Sequence, residues 1–221
     1  MKAARLSRAT VRLVVLAAVP ALLTGLTACT SDDDGGTADT STSAAETAAT
    51  SPAAPAVSGP FGSGCDIFTG EGPSSIPGFA GVPVATAISA VPQLSTLTQA
   101  VISANLVDVL NTRPDVTVLA PSNAAFDALG ADALPALLAD VPRLTTVLTH
   151  HVLAGRLTPE QLVGEHMTLN GDSITVTAPA AAPTLSPDQT LAGVPATVLC
   201  GNVPTVNAIV YVIDQVLTPA Q

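Results

Sequence analysis

The chain has 221 residues, with seven lysines and arginines against 17 aspartates and glutamates, and its formal net charge is −10. Four of the seven cations lie at the very N-terminus, so the chain beyond residue 28 has three arginines, no lysine and a formal charge of −14. Such a surface repels phosphate backbones, which argues against nucleic acid as a partner. Binding through cationic partners or through apolar contacts stays open.

The first 28 residues have the pattern of a secretory signal peptide. A basic start precedes the apolar stretch Leu13–Leu26, which is shorter than the roughly 20 residues of a membrane-spanning helix and is interrupted by Pro20. The stretch ends in LTAC, which resembles a bacterial lipobox, so we expect Cys29 to be lipidated and to anchor the protein to the membrane. Ordinary cleavage that leaves Cys29 as an incidental thiol is the alternative. The predicted location is the outer face of the cytoplasmic membrane, and a shed form is left open.

Residues 29–60 predict a flexible, disordered, acidic linker behind the anchor. The segment Thr30–Gly59 has one valine and no leucine, isoleucine or aromatic residue, so it cannot bury enough apolar surface to fold. Such a segment has a root-mean-square span of about 30 Å. Residues 61–221 fit a single domain of ordinary size, whose core must be aliphatic because aromatic residues are scarce.

Two cysteines remain in the domain, Cys65 and Cys200. An even pair in an exported protein predicts a disulfide, which would close nearly the whole domain and constrain the unfolded chain by about 5 kcal/mol. Two buried free thiols are the alternative. A redox role is disfavoured because the chain has no CxxC motif.

The first half of the domain has mainly helical patterns. A short helix is predicted within Pro83–Val91. Apolar residues at three- and four-residue steps predict one longer amphipathic helix over Leu94–Leu110. A strand over Asp115–Pro121 follows, and three short helices are predicted within 122–150.

Side-chain caps mark two of the predicted helix starts. Ser122 or Asn123 is suited to cap the helix that follows the first strand. Asn123 has a second interpretation, contact with a ligand. Thr158 precedes Pro159 and lies three residues before Gln161, which is the pattern of a capping box.

The second half of the domain has mainly strand patterns. HHVLAG, His150–Gly155, predicts a brief strand, and alternation on both sides of Asn170–Gly171 predicts a hairpin. ATVLC and NAIVYVIDQVLTP predict two further strands, rich in β-branched residues. Because helices come first and strands dominate the end, the predicted fold class is α+β.

The adjacent histidines, His150 and His151, are the most tempting candidates for a metal or acid–base site. If both lie on a strand, they point to opposite faces and cannot bind one metal ion. His166 is the only other histidine, and no HExxH, GxSxG or SxxK motif accompanies it. We therefore predict no catalytic, cofactor-binding or metal-binding residues.

Three segments in order resemble the conserved boxes of a fasciclin (FAS1) domain: TVLAPSNAAF, Thr117–Phe126; LTHHVLAG, Leu148–Gly155; and NAIVYVIDQVLTP, Asn207–Pro219. The leader, linker and cysteines make the chain similar to the secreted and lipid-anchored fasciclin antigens of mycobacteria. The box residues of interest are Thr117, Pro121, Ser122, Asn123, Phe126, His150, His151, Asn207 and Asp214.

The resemblance implies a single FAS1 domain, a wedge of twisted β-sheet with packed helices. It implies no cofactor and no catalysis, and it associates the chain with cell adhesion and matrix interaction. Leu119 replaces the usual phenylalanine of the first box. His150 stands where the family has tyrosine, at a Tyr–His pair that is linked in animal members to integrin contact.

The resemblance also assigns roles to the histidines. We expect His151 to be buried and hydrogen-bonded toward the loop at Ser122 and Asn123, because a buried imidazole needs a partner. His150 is expected to face outward or to lie at the domain edge. The predicted function is a non-enzymatic interaction or adhesion module at the cell surface, whose partner the sequence does not identify. The alternative is a carrier of a lipid or small apolar ligand, in a groove beside the Leu94–Leu110 helix.

Overall fold

The computed structural model describes residues 58–68 and 72–219, which belong to one compact unit within 50–221. The predicted leader, Cys29 and nearly all of the predicted linker lie outside the described residues and stay predictions. The described part holds two hydrophobic clusters, a seven-stranded sheet and a disulfide. This unit therefore has its own core and can fold without the preceding residues.

The described part has eight short α-helices. The helices are α1 Ile76–Ala80, α2 Val84–Ser89, α3 Ser95–Ser103, α4 Val107–Thr112, α5 Asn123–Asp127, α6 Ala133–Ala139, α7 Val141–His150 and α8 Pro159–Leu162. Helices α1 to α7 contribute to the first hydrophobic cluster, and Leu162 of α8 belongs to the second. Side-chain hydroxyls cap α1, α5 and α8, and α1 and α8 also have a proline within their first two positions, which presets a helical φ.

The sheet has the strand order β2-β1-β7-β6-β5-β4-β3. β1 and β7 are parallel, and every other neighbouring pair is antiparallel. A bridge between Leu153 and Thr168 brings the two edges together, so the sheet is nearly closed. The strands are β1 Val116–Pro121, β2 Val152–Ala154, β3 Gly164–Met167, β4 Ser173–Thr177, β5 Thr184–Leu185, β6 Ala196–Pro204 and β7 Ala208–Ile213.

The central strands β1 and β7 are buried along their whole length, which is why they have almost no polar alternation. Val118 and Val210 lie in the cluster that the helices cover. Leu119, Tyr211 and Ile213 lie in the second cluster, to which β4 and β5 also contribute buried residues. The predicted α+β class is thereby confirmed.

The disulfide between Cys65 and Cys200 is present, with a Cα–Cα distance of 4.8 Å, as predicted. It ties the 3₁₀ turn Cys65–Phe68 to β6. Gly62 allows the chain to pass this close to β6, because a Cβ there would lie 2.1 Å from the carbonyl oxygen of Leu199 and its φ is +111°.

Several predicted elements are confirmed within a few residues. They include the short helix α2, the strand β1, the helix α5 capped by Ser122 and the capping box of α8, in which both reciprocal hydrogen bonds form. The predicted hairpin is β3–β4, and Gly171 adopts a φ of +91° in its loop. The two predicted C-terminal strands are β6 and β7.

The prediction of one continuous helix over Leu94–Leu110 is wrong. α3 ends at Ser103, and Asn105 adopts a left-handed φ of 55°. The backbone N–H of Leu106 donates to the carbonyl of Val101, and that of Asn105 donates to Ile102. These two bonds form a Schellman ending with asparagine in the position usually held by glycine, and α4 then begins in a new direction.

The prediction that His150 and His151 lie on a strand is also wrong. α7 extends to His150, His151 is its C-cap, and β2 begins only at Val152. Leu144, Val147 and Leu148 are buried at helical spacing, and His151 continues the same spacing. The helical period therefore runs through the histidine pair, and the argument from strand alternation does not apply.

Candidate functional site

The histidine pair is buried at the junction of α7 and β2. His150 is 1% exposed and His151 is 2% exposed, and their ring centroids lie 6.3 Å apart. His150 is the last residue of α7 and His151 is its C-cap, and at this end of the helix both side chains point into the domain. The prediction that His150 faces outward is wrong, and the prediction that His151 is buried is confirmed.

His151 uses both ring nitrogens on backbone groups. Its Nδ1 lies 2.7 Å from the carbonyl oxygen of Val147, and its Nε2 accepts from the backbone N–H of Leu217 at 2.9 Å. A carbonyl only accepts and an N–H only donates, so the ring is the neutral tautomer with its proton on Nδ1. The predicted bond toward Ser122 and Asn123 is wrong, because the ring joins α7 to the C-terminal segment instead.

The environment of His151 favours this neutral form. The pKa of His151 is lowered from 6.5 to about 4. Burial is the main cause, the hydrogen bond to Val147 opposes it, and the nearby His150 adds a smaller lowering. Protonation of Nε2 would also displace the N–H of Leu217. His151 is therefore a structural acceptor and donor at neutral pH rather than a charged group.

His150 is paired with Asp172, a residue that the sequence reasoning missed. The Nδ1 of His150 lies 2.8 Å from Oδ1 of Asp172, which also accepts the hydroxyl of Thr168, while Asn170 donates to Oδ2 at 3.1 Å. Burial alone would raise the pKa of Asp172, but these hydrogen bonds outweigh it and lower the pKa to about 2. The carboxylate thus anchors the β3–β4 loop to the end of α7.

An aspartate on Nδ1 of a histidine is also the arrangement of a general base. Here Nε2 of His150, the atom that would act on a substrate, is buried and has no hydrogen-bond partner among the described residues. The cavity that reaches the pair is lined by His151, not His150, has a volume of about 40 Å³ and presents only apolar surface. In this structure the nitrogen that would do the chemistry is thus buried, and His150 does not line this cavity.

A metal site needs histidine, cysteine, aspartate or glutamate side chains placed close together. Within residues 58–68 and 72–219 no group of three or more histidine, cysteine, aspartate or glutamate side chains is placed to hold a metal ion. His166 is separate from the pair, with its Nε2 3.0 Å from the carbonyl oxygen of Leu162.

The first box is built into the fold through its polar side chains. The hydroxyl of Thr117 donates to the carbonyl of Gly155 at 2.7 Å and accepts from the N–H of Leu157 at 2.9 Å. It therefore holds the segment after β2 against β1. Three other box residues have local roles: Pro121 ends β1, Ser122 caps α5 by accepting from the N–H of Ala125, and Phe126 is buried in the core.

Asn123 organises the start of a different helix. Its Oδ1 accepts from the backbone N–H of Thr96 at 3.0 Å, and its Nδ2 donates to the carbonyl of Pro92 and the hydroxyl of Ser95. α3 has no cap of its own at Leu94, so Asn123 satisfies an N–H that would otherwise lack a partner. Of its two interpretations, the organising role is the one that these contacts support.

The third box contributes two more connections. Asn207 accepts from the N–H of Val84 at 3.0 Å and donates to the carbonyls of Leu110 and Arg113, so it joins α2 and α4 to the start of β7. Asp214 accepts the N–H and the hydroxyl of Thr197 at 2.7 and 2.6 Å.

Tyr211, the only tyrosine in the chain, belongs to the same network although the box interpretation did not single it out. Its hydroxyl donates to the carbonyl of Leu157 at 2.8 Å, and burial, with a smaller effect of Glu160, raises its pKa. The polar side chains of the three boxes thus mainly satisfy backbone groups of distant segments, which is what a buried polar side chain must do.

Comparison with known proteins identifies the family of this domain. The sequence model of the fasciclin domain matches residues 92–219. The chain belongs to the fasciclin family. The three boxes of this fasciclin domain all lie within the matched residues.

The relatives of this fasciclin protein include mycobacterial proteins. It is 42% identical over 166 residues to the cell surface glycolipoprotein MPT83 of Mycobacterium tuberculosis, which covers 72% of this chain and 71% of that protein. It is also 42% identical over 174 residues to the immunogenic protein MPB70 of Mycobacterium bovis, covering 75% and 86%. A FAS1 domain pair from the insect cell adhesion molecule Fasciclin I matches with a TM-score of 0.46 and 23% identity, over 57% of this chain and 45% of that one.

A groove for an apolar ligand is predicted beside the segment Leu94–Leu110, and two cavities of the fasciclin domain lie there. The cavity between α3, α4 and β1 has a volume of about 40 Å³, and the cavity between α2, α3 and α4 has a volume of about 230 Å³. Both lie below the roughly 300–1,000 Å³ of pockets that hold drug-sized ligands. Several of the lining residues, among them Leu97, Val101 and Leu110, belong to the buried core. Among the residues described, no helix is long and apolar enough to cross a membrane.

Proposed function

We propose that this protein is a non-enzymatic interaction module held at the cell surface by a lipid on Cys29. The observation that carries the proposal is the 42% identity to a cell surface glycolipoprotein over 72% of this chain, together with LTAC placed at the end of an apolar leader. A domain with this charge does not adhere to anionic headgroups by itself, so attachment to a membrane needs an anchor of another kind.

The non-enzymatic part of the proposal is supported by how the polar side chains are used. His151, Asn123 and Asn207 each use their polar atoms on backbone groups of the domain itself. Such groups are not available to bind or transfer protons to a substrate unless the fold opens. The surface, not the box residues, is then the part of the molecule that meets a partner.

Detergent-phase partitioning of the protein from its host tests the anchor. The wild-type protein should enter the detergent phase, and its N-terminal peptide should have the mass of acylated Cys29. Cys29→Ala should lose the acyl mass and enter the aqueous phase, while the neighbouring Thr30→Ala should behave as wild type. An unmodified Cys29 in the wild-type protein would contradict the proposal.

Native mass spectrometry and a pull-down test the interaction. Fragment 50–221, which contains the described domain, should capture a defined envelope or matrix component, and the same fragment with its disulfide reduced and unfolded should not. Isolation from the host with a stoichiometric lipid would favour the carrier alternative instead. An activity that is lost in a folded His151 variant would overturn the non-enzymatic assignment.

A further inference from the structure

A pocket with an arginine in its lining lies on the helical side of the domain. Its volume is about 210 Å³. α6 supplies most of its apolar wall, α7 supplies the arginine, and the segment before β6 supplies a leucine. Its lining residues are Leu129, Ala133, Ala136, Leu137, Arg143 and Leu191.

The arginine in this pocket has no internal partner. Among the described residues the guanidinium of Arg143 has no hydrogen bond or ion pair; only its backbone N–H is bonded, to Oδ1 of Asp140 at 3.2 Å. By contrast, Arg156 donates to the carbonyls of Val206 and Thr205. Arg143 is one of three arginines beyond residue 28, where the chain has no lysine. Its guanidinium forms no ion pair with another described residue.

The pocket is preformed and open. Leu137 is buried in the core beneath it, and Leu191 is held by its N–H, which donates to the carbonyl of Val216 at 2.8 Å. Ala133 and Ala136 are exposed and present only methyl groups, so they leave room above the helix. The lining of the pocket is therefore aliphatic except for one charged side chain, that of Arg143.

We propose that this pocket binds a small aliphatic carboxylate, with the carboxylate on Arg143 and the alkyl chain over the alanines of α6. A guanidinium matches a carboxylate in geometry and charge, and the aliphatic floor selects against polar tails. The volume lies below the roughly 300–1,000 Å³ of pockets for drug-sized ligands, so the ligand is a short chain. The site deepens the proposed interaction function by naming a ligand chemistry, and it does not depend on the lipid at Cys29.

Methyl NMR of fragment 50–221 with octanoate tests this site. Saturable shifts are expected at Leu129, Leu137 and Leu191, with a Kd on the order of 1 mM. Octylamine, which has the same chain and the opposite charge, should leave those methyls unshifted.

Two pairs of variants distinguish binding at this pocket from non-specific binding of octanoate to the protein. Arg143→Gln should weaken octanoate binding by about fivefold or more. Arg113→Gln should not, at a second exposed arginine whose guanidinium has no hydrogen bond within residues 58–68 and 72–219. Ala136→Leu should fill the pocket and abolish binding, while Ala139→Leu, outside the pocket on the same helix, should not. Absent or non-saturable shifts, or equal effects of the two arginine variants, would overturn the proposal. Because the fragment lacks Cys29, these outcomes are independent of the anchor test.

Discussion

His151 shows at the scale of one residue why a histidine at a family box is not a reactive group. Its two ring nitrogens join α7 and the C-terminal segment, and burial holds the ring neutral. His150 differs, because Asp172 holds one nitrogen and the other is buried without a partner. Both side chains stabilise the junction at which helix becomes strand.

Replacing His151 by alanine should lower the free energy of unfolding by about 3 kcal/mol at pH 7, since a buried ring and two hydrogen bonds are lost. The contribution should depend on pH. The folded pKa lies below the unfolded one, so the stabilisation is complete above about 6.5 and declines as the pH falls toward 4, by about 3 kcal/mol in total. Urea denaturation at several pH values measures both effects.

The matched control is His166→Ala, at a half-buried histidine with one hydrogen bond. It should cost less than about 1 kcal/mol, because only one hydrogen bond is lost. An unchanged stability or an unchanged dependence of stability on pH in the His151 variant would refute the assigned role.

A double-mutant cycle should detect the bond between His150 and Asp172. With His150→Phe and Asp172→Asn we expect a coupling free energy of about 1–3 kcal/mol, because the pair is hydrogen-bonded and largely buried. Asn170→Ala breaks only one bond to the same carboxylate and should cost less than about 1 kcal/mol. Additive effects of the two main substitutions would show that the side chains do not interact.

The candidate site was predictable from the sequence only in part. The burial of His151 follows from the family box, in which it is the box histidine. The contacts with Asp172 and Leu217 span 22 and 66 positions, and no local pattern encodes them. A signal for Asp172 did exist: a carboxylate directly after an Asn-Gly turn lies where it can anchor the loop.

At the scale of elements, the break between α3 and α4 is set by one residue. The apolar period continues across it, since Leu97, Val101 and Leu110 are all buried. Period alone therefore predicts one helix, whereas the left-handed conformation of Asn105 and the Schellman bonds end it. The predicted boundary of the neighbouring strand is also misplaced. The strand predicted over His150–Gly155 begins only at Val152, because the last turn of α7 includes His150.

Substitutions at Asn105 should depend on backbone conformation more than on helix propensity. Asn105→Gly should change stability by less than about 0.5 kcal/mol, and Asn105→Val should cost about 1–2 kcal/mol, because a β-branched residue is strained at a φ of 55°. Chemical denaturation checks both. Ser103→Val, in the last turn of α3, is the control and should cost only a few tenths of a kcal/mol. Equal effects of valine at the two positions would contradict the assigned helix ending.

At the scale of the whole molecule, the disulfide is the longest-range constraint that the sequence revealed. It closes 135 positions, so Cys65→Ala with Cys200→Ala should lower stability by about 5 kcal/mol, mainly by freeing the unfolded chain. Reduction of the wild-type protein should produce the same loss in urea denaturation. A loss only in the alanine variant would assign the effect to packing of the buried Cys200 instead.

The class, the strands β1 and β7 and the pairing of the cysteines were predictable, because each depends on a local pattern or on an even count. The near closure of the sheet was not, since it depends on the bridge between Leu153 and Thr168 and on a parallel pairing of strands 92 positions apart. The pocket at Arg143 combines α6, α7 and Leu191, and no local pattern brings them together.

The central claim is that the box residues of this fasciclin domain serve the fold and leave binding to the surface. ¹⁵N NMR of the imidazole of His151, followed against pH and after addition of zinc, tests it most directly. The structure predicts a neutral ring with its proton on Nδ1 that titrates only near pH 4 and does not respond to zinc. A titration near 6.5, the other tautomer or a zinc-dependent shift in the folded protein would contradict the claim.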